Sequence, residues 1–210
     1  MNILLIGATG GTGRAILEQA LERGHRVTAL VRRPEKVTTK HERLTVVKGN
    51  VLEPVSLGKA MPGHDAVLSA LGHKRWFVKT TILSEGTRNI IAAMERHGVK
   101  RFVCETALGI GDTRGRMGLY YTLFVIPVII WFYFRDKELQ EECIRKSTLD
   151  WIIVRPGRLT NGRKRGTYRH GASIGNWLWT VCISRASVAD FMLMQLADDT
   201  YLRKSPVVAN

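Results

Sequence analysis

The sequence has 210 residues, 45% of them hydrophobic and 24% charged, a composition typical of a globular chain with a sizeable core. Its formal net charge of +14 is compatible with nucleic acid, an anionic membrane or anionic small molecules, but no lysine-rich tail, zinc-finger spacing or RNA-recognition signature points to nucleic acid. The 3 cysteines are too few and too scattered for a disulfide framework or a zinc site, so we expect a reduced, cytoplasmic protein without a metal.

An apolar run at residues 3–6 leads directly into a glycine-rich loop, GATGGTG at 7–13, and then into a helical pattern. Glycine lets the backbone approach another backbone or a ligand, and the free N–H groups of a new helix favour a phosphate. The order of strand, loop and helix indicates a dinucleotide site, although the glycine spacing is one residue looser than in the usual fingerprint. No signal peptide is expected, because the first residues already form the strand. The loop residues expected to contact the cofactor are Gly7, Thr9, Gly10, Gly11, Thr12 and Gly13.

A second predicted strand, at residues 26–31, is followed by Arg32 and Arg33. A site for NAD would carry an acidic residue here to bind the 2′-hydroxyl of the ribose. Two guanidinium groups instead suit a 2′-phosphate, which a guanidinium binds with two parallel hydrogen bonds. The sequence therefore predicts NADP(H) as the cofactor rather than NAD(H). The alternative is a solvated basic turn before Pro34.

Four further segments resemble a known family when they are taken with the glycine loop. They are GNVLEP at 49–54, SALG at 69–72, SEGTRNIIAAMERHGVKRFV at 84–103 and LDWIIVRPGRLT at 149–160. Together they resemble the atypical branch of the short-chain dehydrogenase/reductase superfamily, in particular the NmrA-like and the biliverdin reductase B/flavin reductase-like proteins. The resemblance covers nearly the whole chain, and its cofactor motifs are more specific than its substrate half.

The resemblance implies a series of cofactor contacts at the ends of the later strands. Asn50 stands where the family often has an aspartate that contacts the adenine, and its amide still forms hydrogen bonds. Thr106 stands where the superfamily places a serine or threonine near the nicotinamide and the reacting carbonyl, so we expect it to polarise an oxygen there. A basic loop at 73–76 is a further candidate for contact with pyrophosphate or substrate. The other residues expected at the cofactor are Val51, Ala70, Leu71, Gly72, Pro156 and Gly157.

Tyr133 and Lys137 match Tyr-x-x-x-Lys, the catalytic pair of the superfamily, and this spacing places both side chains on one face of a helix. In such a pair the ammonium binds the nicotinamide ribose and favours the ionised phenol, which transfers the proton. The catalytic candidates are therefore Thr106, Tyr133 and Lys137, with Lys137 also at the cofactor. The alternatives are a core or interface tyrosine and an ion pair between Lys137 and Glu141. Glu141 stands where the biliverdin reductase B-like proteins carry a histidine, which argues against biliverdin as substrate.

Two stretches are expected on the substrate side. Residues 119–134, LYYTLFVIPVIIWFYF, are short for a membrane span and contain a proline. We expect a partly buried helix or lid that walls the pocket, with a dimer contact or contact with a membrane surface as alternatives. The segment 155–170 has 6 Lys and Arg and no acidic residue, which predicts either a rim that attracts an anionic substrate or a solvated hairpin. Trp177 and Trp179 are expected to line that pocket or to pack in the core.

The predicted fold class is α/β, a Rossmann-type, doubly wound and mostly parallel sheet with a small C-terminal substrate region. We expect a single domain over residues 1–210, a monomer or homodimer, with substrate-side elements near 107–134 and 157–184. The predicted function is an NADPH-dependent reductase that transfers a hydride to a planar, conjugated, anionic small molecule of the flavin, quinone or tetrapyrrole type. The alternative is a non-catalytic, NmrA-like redox sensor or partner-binding module that binds NADP(H).

Overall fold

The structure, a computed structural model, describes residues 1–73 and 77–210 of the chain. The strands are β1 (Asn2–Ile6), β2 (Arg26–Val31), β3 (Leu44–Lys48), β4 (Ala66–Ser69), β5 (Arg101–Glu105), β6 (Asp150–Pro156), β7 (Arg158–Thr160), β8 (Arg169–Gly171), β9 (Cys182–Ser184) and β10 (Val207–Ala209). The α-helices are α1 (Gly11–Glu22), α2 (Pro54–Ala60), α3 (Ile82–Arg96), α4 (Trp131–Arg145) and α5 (Arg185–Met194). A π-helical segment, Tyr121–Ile129, lies directly before α4.

Eight strands form one sheet in the order β3-β2-β1-β4-β5-β6-β10-β8. All neighbours in this sheet pair in parallel except β8, which is antiparallel to β10. The first six strands have the order 3-2-1-4-5-6 of a doubly wound dinucleotide-binding sheet, in which the chain changes direction between β1 and β4. The Rossmann-type, mostly parallel fold predicted from the sequence is therefore confirmed.

The sheet is covered on both faces, and each face has its own apolar core. Alternate residues of β1 illustrate this, because Ile3 and Leu5 point into one core and Leu4 and Ile6 into the other. Helices α1 and α5 cover the first face, and α2, α3 and α4 cover the second. Strands buried on both faces are apolar throughout, which explains why the inner strands are continuous hydrophobic runs in the sequence.

The helical pattern after the glycine loop forms α1 as expected. Its buried face consists mainly of Ile16, Leu17, Ala20 and Leu21, which are spaced at helical intervals. Gly24 follows the helix with φ +81°, the left-handed conformation that glycine adopts without steric cost and that commonly ends a helix.

The C-terminal part contains two features that the sequence patterns do not predict. Residues 155–170, expected to form a basic rim or a solvated hairpin, complete β6 and contribute β7 and most of β8, which extends the main sheet through β10, and five of their six Lys and Arg residues are exposed. Strand β7 pairs in parallel with β9 as a separate two-stranded sheet. Strands of 3 residues are too short to show a periodic pattern, so tertiary pairing determines them.

Candidate functional site

The expected cofactor residues lie at one edge of the sheet. Because β1 to β6 are parallel, their carboxyl ends meet at the same edge, where ligands of doubly wound sheets bind. The glycine loop follows β1. On one side of it, the arginine pair follows β2 and Asn50-Val51 follows β3. The ends of β4, β5 and β6 lie on the other side. In chain order, the residues that the topology brings to this edge are Gly7, Thr9, Gly10, Gly11, Thr12, Gly13, Arg32, Arg33, Asn50, Val51, Ala70, Leu71, Gly72, Thr106, Pro156 and Gly157.

The glycines of the loop are required by close backbone contacts. Gly7 has φ +87°, and a Cβ there would overlap the carbonyl oxygen of Ala70. A Cβ at Gly13 would overlap the carbonyl oxygen of Gly7, and the Gly10 N–H donates to that same oxygen at 2.9 Å. The loop is therefore folded tightly against the end of β4, and any side chain at Gly7 or Gly13 would force the backbone apart.

The N-terminus of α1 faces this loop and has no acidic residue of its own. Its N-cap is Gly10, which has no side chain to accept from the free N–H groups, and its first turn contains no acidic residue. The side chain of Arg185 lies across Gly11 and donates from Nη1 to Oδ1 of Asn161 at 2.5 Å. Free N–H groups, the helix dipole and this guanidinium together make the position favourable for a phosphate group.

Tyr133 and Lys137 lie one turn apart near the start of α4, as their spacing predicts. The Tyr133 hydroxyl lies 3.5 Å from where a Cβ of Gly72 would be, so it lies beside the end of β4. The Lys137 Nζ lies 5.2 Å from the centre of the Tyr133 ring and 3.5 Å from the carbonyl oxygen of Glu105 at the end of β5. The structure thus brings the expected catalytic pair to the edge that carries the glycine loop.

A buried carboxyl, Glu105, links this pair to the glycine loop. The Thr12 hydroxyl donates to Oε1 of Glu105 at 3.0 Å. Burial raises the pKa of Glu105 above its ordinary value, although the Lys137 charge and the Thr12 hydrogen bond oppose the shift. Burial by itself would lower the pKa of Lys137, but Tyr133 and Glu105 outweigh it, and the pKa lies above the ordinary value. Lys137 therefore remains an ammonium at neutral pH.

A family model described as NAD(P)H-binding matches residues 7–199, which include the glycine loop and the carboxyl ends of β2 to β6. The chain belongs to this NAD(P)H-binding family. The match confirms the expected resemblance to atypical short-chain dehydrogenases/reductases, and the relatives include reductases, so the chain belongs to an oxidoreductase family.

Individual relatives of this family cover the chain to different extents. An uncharacterised chloroplastic protein of Arabidopsis thaliana is 33% identical over 178 residues, which are 78% of this chain and 61% of that protein. The chain spans less than two thirds of the length of the curated relatives that it matches.

Two solved structures have the same fold over the whole chain. An anaerobillin reductase from Escherichia coli O157:H7 is 23% identical with a TM-score of 0.81, covering 100% of this chain and 97% of that one. A short-chain dehydrogenase/reductase from Veillonella parvula in complex with NADP is 20% identical with a TM-score of 0.79. The match covers 100% of this chain and 94% of that one. At these identities the structures show the fold.

Two buried polar contacts fix α4 and thereby position the pair. Both oxygens of Asp136 accept from the start of α3, from the backbone N–H of Leu83 at 2.9 Å and of Ser84 at 3.0 Å. Glu141 binds Arg155 of β6 through two hydrogen bonds of 2.9 and 2.6 Å. Lys137 lies between these two anchors, so its direction follows from theirs.

The charge pattern predicts that Arg155 is part of an exposed basic rim, but the structure buries it. It is completely buried, and its guanidinium binds Glu141 and, at 2.6 Å, Oδ1 of Asp112. The alternative pairing of Lys137 with Glu141 is also absent among the described contacts, in which Glu141 binds Arg155 and Arg145. An arginine counted from sequence as solvent-facing is here a structural ion pair.

The hydroxyl of Thr106 is already engaged. It donates to Oε1 of Glu141 at 2.7 Å, and 4% of Thr106 is exposed. Thr106 therefore stands at the expected strand end, but its hydroxyl points to the helix α4 anchor. Its expected role in polarising an acceptor oxygen remains a prediction.

The apolar stretch at 119–134 is helical and partly buried, as expected, and its role as a wall of the pocket remains a prediction. It comprises the π-helical segment and the first turn of α4, and the π-helical segment contains no fully buried residue. Trp177 and Trp179 are likewise 68% and 70% exposed, so they do not pack in the core. A run of apolar residues in a sequence does not distinguish a buried helix from an exposed one, and here much of it faces outward.

Sequence reasoning missed three site residues, Glu105, Asp136 and Arg185. Glu105 directly precedes Thr106, and an acidic residue at the end of an apolar strand was the available signal. Asp136 and Arg185 act through contacts with distant segments, so nothing in their local pattern marks them. Residues 74–76 of the expected basic loop lie outside the described part of the chain.

Proposed function

We propose that the protein is an NADPH-dependent reductase that transfers a hydride to a planar, conjugated acceptor. The observation that carries the proposal is the placement of Tyr133 and Lys137 beside the ends of β4 and β5, at the edge where the glycine loop turns into α1. A nicotinamide that is bound along this edge would lie next to the pair. NADPH, when bound, supplies the hydride, and the protein supplies position and electrostatics.

The preference for NADP(H) rests on Arg32 and Arg33. Both are exposed after β2, the strand next to β1, at the side of the loop where the adenosine ribose of a doubly wound site lies. Two exposed guanidinium groups bind a 2′-phosphate, whereas an acidic residue would repel it. The Veillonella relative in complex with NADP supports the same choice.

The remaining residues of the edge have separate roles in this proposal. The N–H groups at the start of α1 bind the pyrophosphate, and Arg185 beside Gly11 adds a positive charge there. The Lys137 ammonium donates to the hydroxyls of the nicotinamide ribose. The Tyr133 hydroxyl donates a proton to an acceptor that needs one.

The acceptor is proposed as a flavin, quinone or tetrapyrrole type of molecule because its chemistry fits the surroundings. Residues 151–189 contain no acidic residue, so this side of the site attracts an anion. Tyr121 lies near Arg158 and Tyr133 lies beside Gly72, and aromatic rings of this kind suit a planar ring system. The Escherichia coli structure with the same fold is named an anaerobillin reductase, which is in line with a reductase.

The test is the oxidation of NADPH by the purified protein with FMN, riboflavin, a short-chain quinone and biliverdin as acceptors, and with NADH in parallel. Turnover of at least one acceptor, with NADPH preferred over NADH, is the expected result. Turnover with equal use of NADH would contradict the cofactor assignment, and binding of NADPH without any turnover would contradict the reductase.

The engaged hydroxyl of Thr106 favours a second candidate function. Because this hydroxyl donates to Glu141, the catalytic constellation of the superfamily is incomplete in this structure. A non-catalytic redox sensor or partner-binding module that binds NADP(H) would not need it. Tight binding of NADPH with no oxidation of any acceptor is the result that this second candidate predicts.

A further inference from the structure

An apolar face, defined by residues 119–132 together with 177–179, is exposed on the surface of the protein. Ten large hydrophobic side chains belong to it: Leu119, Tyr120, Leu123, Phe124, Val128, Trp131, Phe132, Trp177, Leu178 and Trp179. Single exposed apolar residues are normal, but a contiguous group of this kind marks an interaction surface.

The two segments of the apolar face form one surface. Gly118 donates from its backbone N–H to the carbonyl oxygen of Asn176 at 2.8 Å, and Leu119 does so to Leu178 at 3.4 Å. The hydroxyl of Thr180 donates to the carbonyl oxygen of Met117 at 2.9 Å. The tryptophans of 177–179 are therefore held beside the π-helical segment.

The outward direction of the face is fixed by packing behind it. Tyr121 and Ile126 of the π-helical segment pack against the small core of Leu108 and Met117. With one side of the segment held against this core, Leu123, Phe124 and Val128 are left pointing away from the protein. The apolar side chains are thus presented by an ordered element.

Positive charge surrounds the apolar face. No acidic residue occurs within 113–135 or 151–189. Arg116 contacts Gly175 beside one tryptophan, Arg158 lies near Tyr121, and Arg135 follows Trp131 by one helical turn. The acidic residues that follow in α4 do not cancel this charge, because Asp136 is buried and accepts from the start of α3, and Glu138 is shared by Arg114 and Arg135, which leaves the border net positive.

We propose that the apolar face docks on the surface of an anionic lipid bilayer. Tryptophan and tyrosine favour the boundary between headgroups and acyl chains, and arginines at the border bind the lipid phosphates. No helix among the described residues is long and apolar enough to cross a membrane. The proposal concerns this face alone and does not depend on hydride transfer.

The charge of the border favours lipid over a second copy of the chain. A symmetric dimer through this face would place the arginines of two copies near each other, and like charges across an interface are unfavourable. An anionic bilayer neutralises them instead, and each basic residue near its surface adds to the attraction.

The test is flotation of the full chain with vesicles of phosphatidylcholine mixed with phosphatidylglycerol, and with phosphatidylcholine alone. We expect the protein to bind the mixed vesicles several times more strongly than the neutral ones. We also expect its binding to the mixed vesicles to decrease as the ionic strength rises. A shift of tryptophan fluorescence to shorter wavelength on binding would report entry of the indole rings into an apolar environment.

Two valines provide a matched pair of variants. Val128 in the apolar face is 69% exposed, and Val55 in α2 is 70% exposed and lies elsewhere. Val128→Ser should lower the partition onto mixed vesicles by about fivefold, and Val55→Ser should leave it unchanged. Trp177→Ser combined with Trp179→Ser should lower it by more than about tenfold. Equal thermal midpoints would show that the variants remain folded.

Two results would overturn the proposal. One is no binding to the mixed vesicles, and the other is an equal loss of binding in Val128→Ser and Val55→Ser. If vesicles fail to bind and sedimentation shows a dimer that Val128→Ser dissociates, the occupant of the apolar face is a second copy of the chain.

Discussion

Lys137 is 3% exposed and lies between the Tyr133 ring and the carbonyl oxygen of Glu105. Its pKa lies above the ordinary value because Tyr133 and Glu105 outweigh the effect of burial, so its charge persists at neutral pH. Lys137→Met removes the proposed donor to the ribose hydroxyls. We expect kcat/KM for NADPH to fall by about tenfold to a hundredfold, measured by steady-state oxidation with the best acceptor. An unchanged kcat/KM would remove Lys137 from the site.

Tyr133 gives a different expectation, because a flavin or quinone needs little acid catalysis. Tyr133→Phe should lower kcat by less than about tenfold with such an acceptor, since the hydroxyl contributes only proton transfer. Tyr120→Phe, which removes an exposed phenol from the apolar face, is the control and should have no effect. A loss of kcat much larger than this would mean that the acceptor depends on acid catalysis.

Glu105 predicts a pH dependence of stability. Burial raises the pKa of the Glu105 carboxyl in the folded state. At acid pH this carboxyl is neutral in both the folded and the unfolded state, so it does not lower the free energy of unfolding there. As the pH rises, the unfolded chain releases this proton first and the folded state loses stability. Glu105→Gln stays neutral and still accepts from Thr12, so its thermal midpoint should exceed that of the unmodified chain by a margin that grows from acid to neutral pH.

The control for this pH series is Glu18→Gln, at an exposed position of α1, which should show no growing margin. A margin for Glu105→Gln that is constant or shrinks as the pH rises would contradict the assigned direction of the shift.

At the scale of elements, Gly13, where the glycine loop turns into α1, tolerates no side chain. Gly13→Ala places a Cβ on the Gly7 carbonyl oxygen and should lower the free energy of unfolding by about 2 kcal/mol or more. Gly58→Ala in α2 meets no atom within 4 Å and should raise it by about 0.5–1 kcal/mol. Urea unfolding of both variants measures these two changes. If both variants changed the free energy of unfolding by the same amount, helix propensity and not the contact with Gly7 would determine the effect of Gly13→Ala.

The attachment of α4 to β6 depends on the buried pair of Glu141 and Arg155. Arg155→Met leaves Glu141 with Arg145 as its remaining ion pair, and Glu141→Leu leaves Arg155 with the exposed Asp112, so each single variant should cost about 3 kcal/mol. The double variant should recover a large part of the summed loss, because no buried charge of the pair remains. A double-mutant cycle in urea measures this coupling, and strictly additive losses would contradict it.

At the scale of the whole molecule, the sequence predicts the sheet better than it predicts the site. Apolar runs such as 3–6 form strands because burial on both faces requires them, and the glycine loop is local in the chain. The contacts that position Lys137 are not local, since Asp136 caps α3 and Glu141 binds Arg155. The outward direction of 119–132 follows from which side packs on Leu108, and no periodicity in that run records it.

The central claim, a site for NADP(H) at the carboxyl edge of the sheet, is tested most directly by calorimetric titration with NADPH and with NADH. We expect NADPH to bind tighter by about tenfold to a hundredfold. Arg32→Ser combined with Arg33→Ser should abolish that preference, whereas Arg26→Ser, at the opposite end of β2, should retain it. Equal affinities for the two cofactors, or a preference that survives removal of both arginines, would contradict the account.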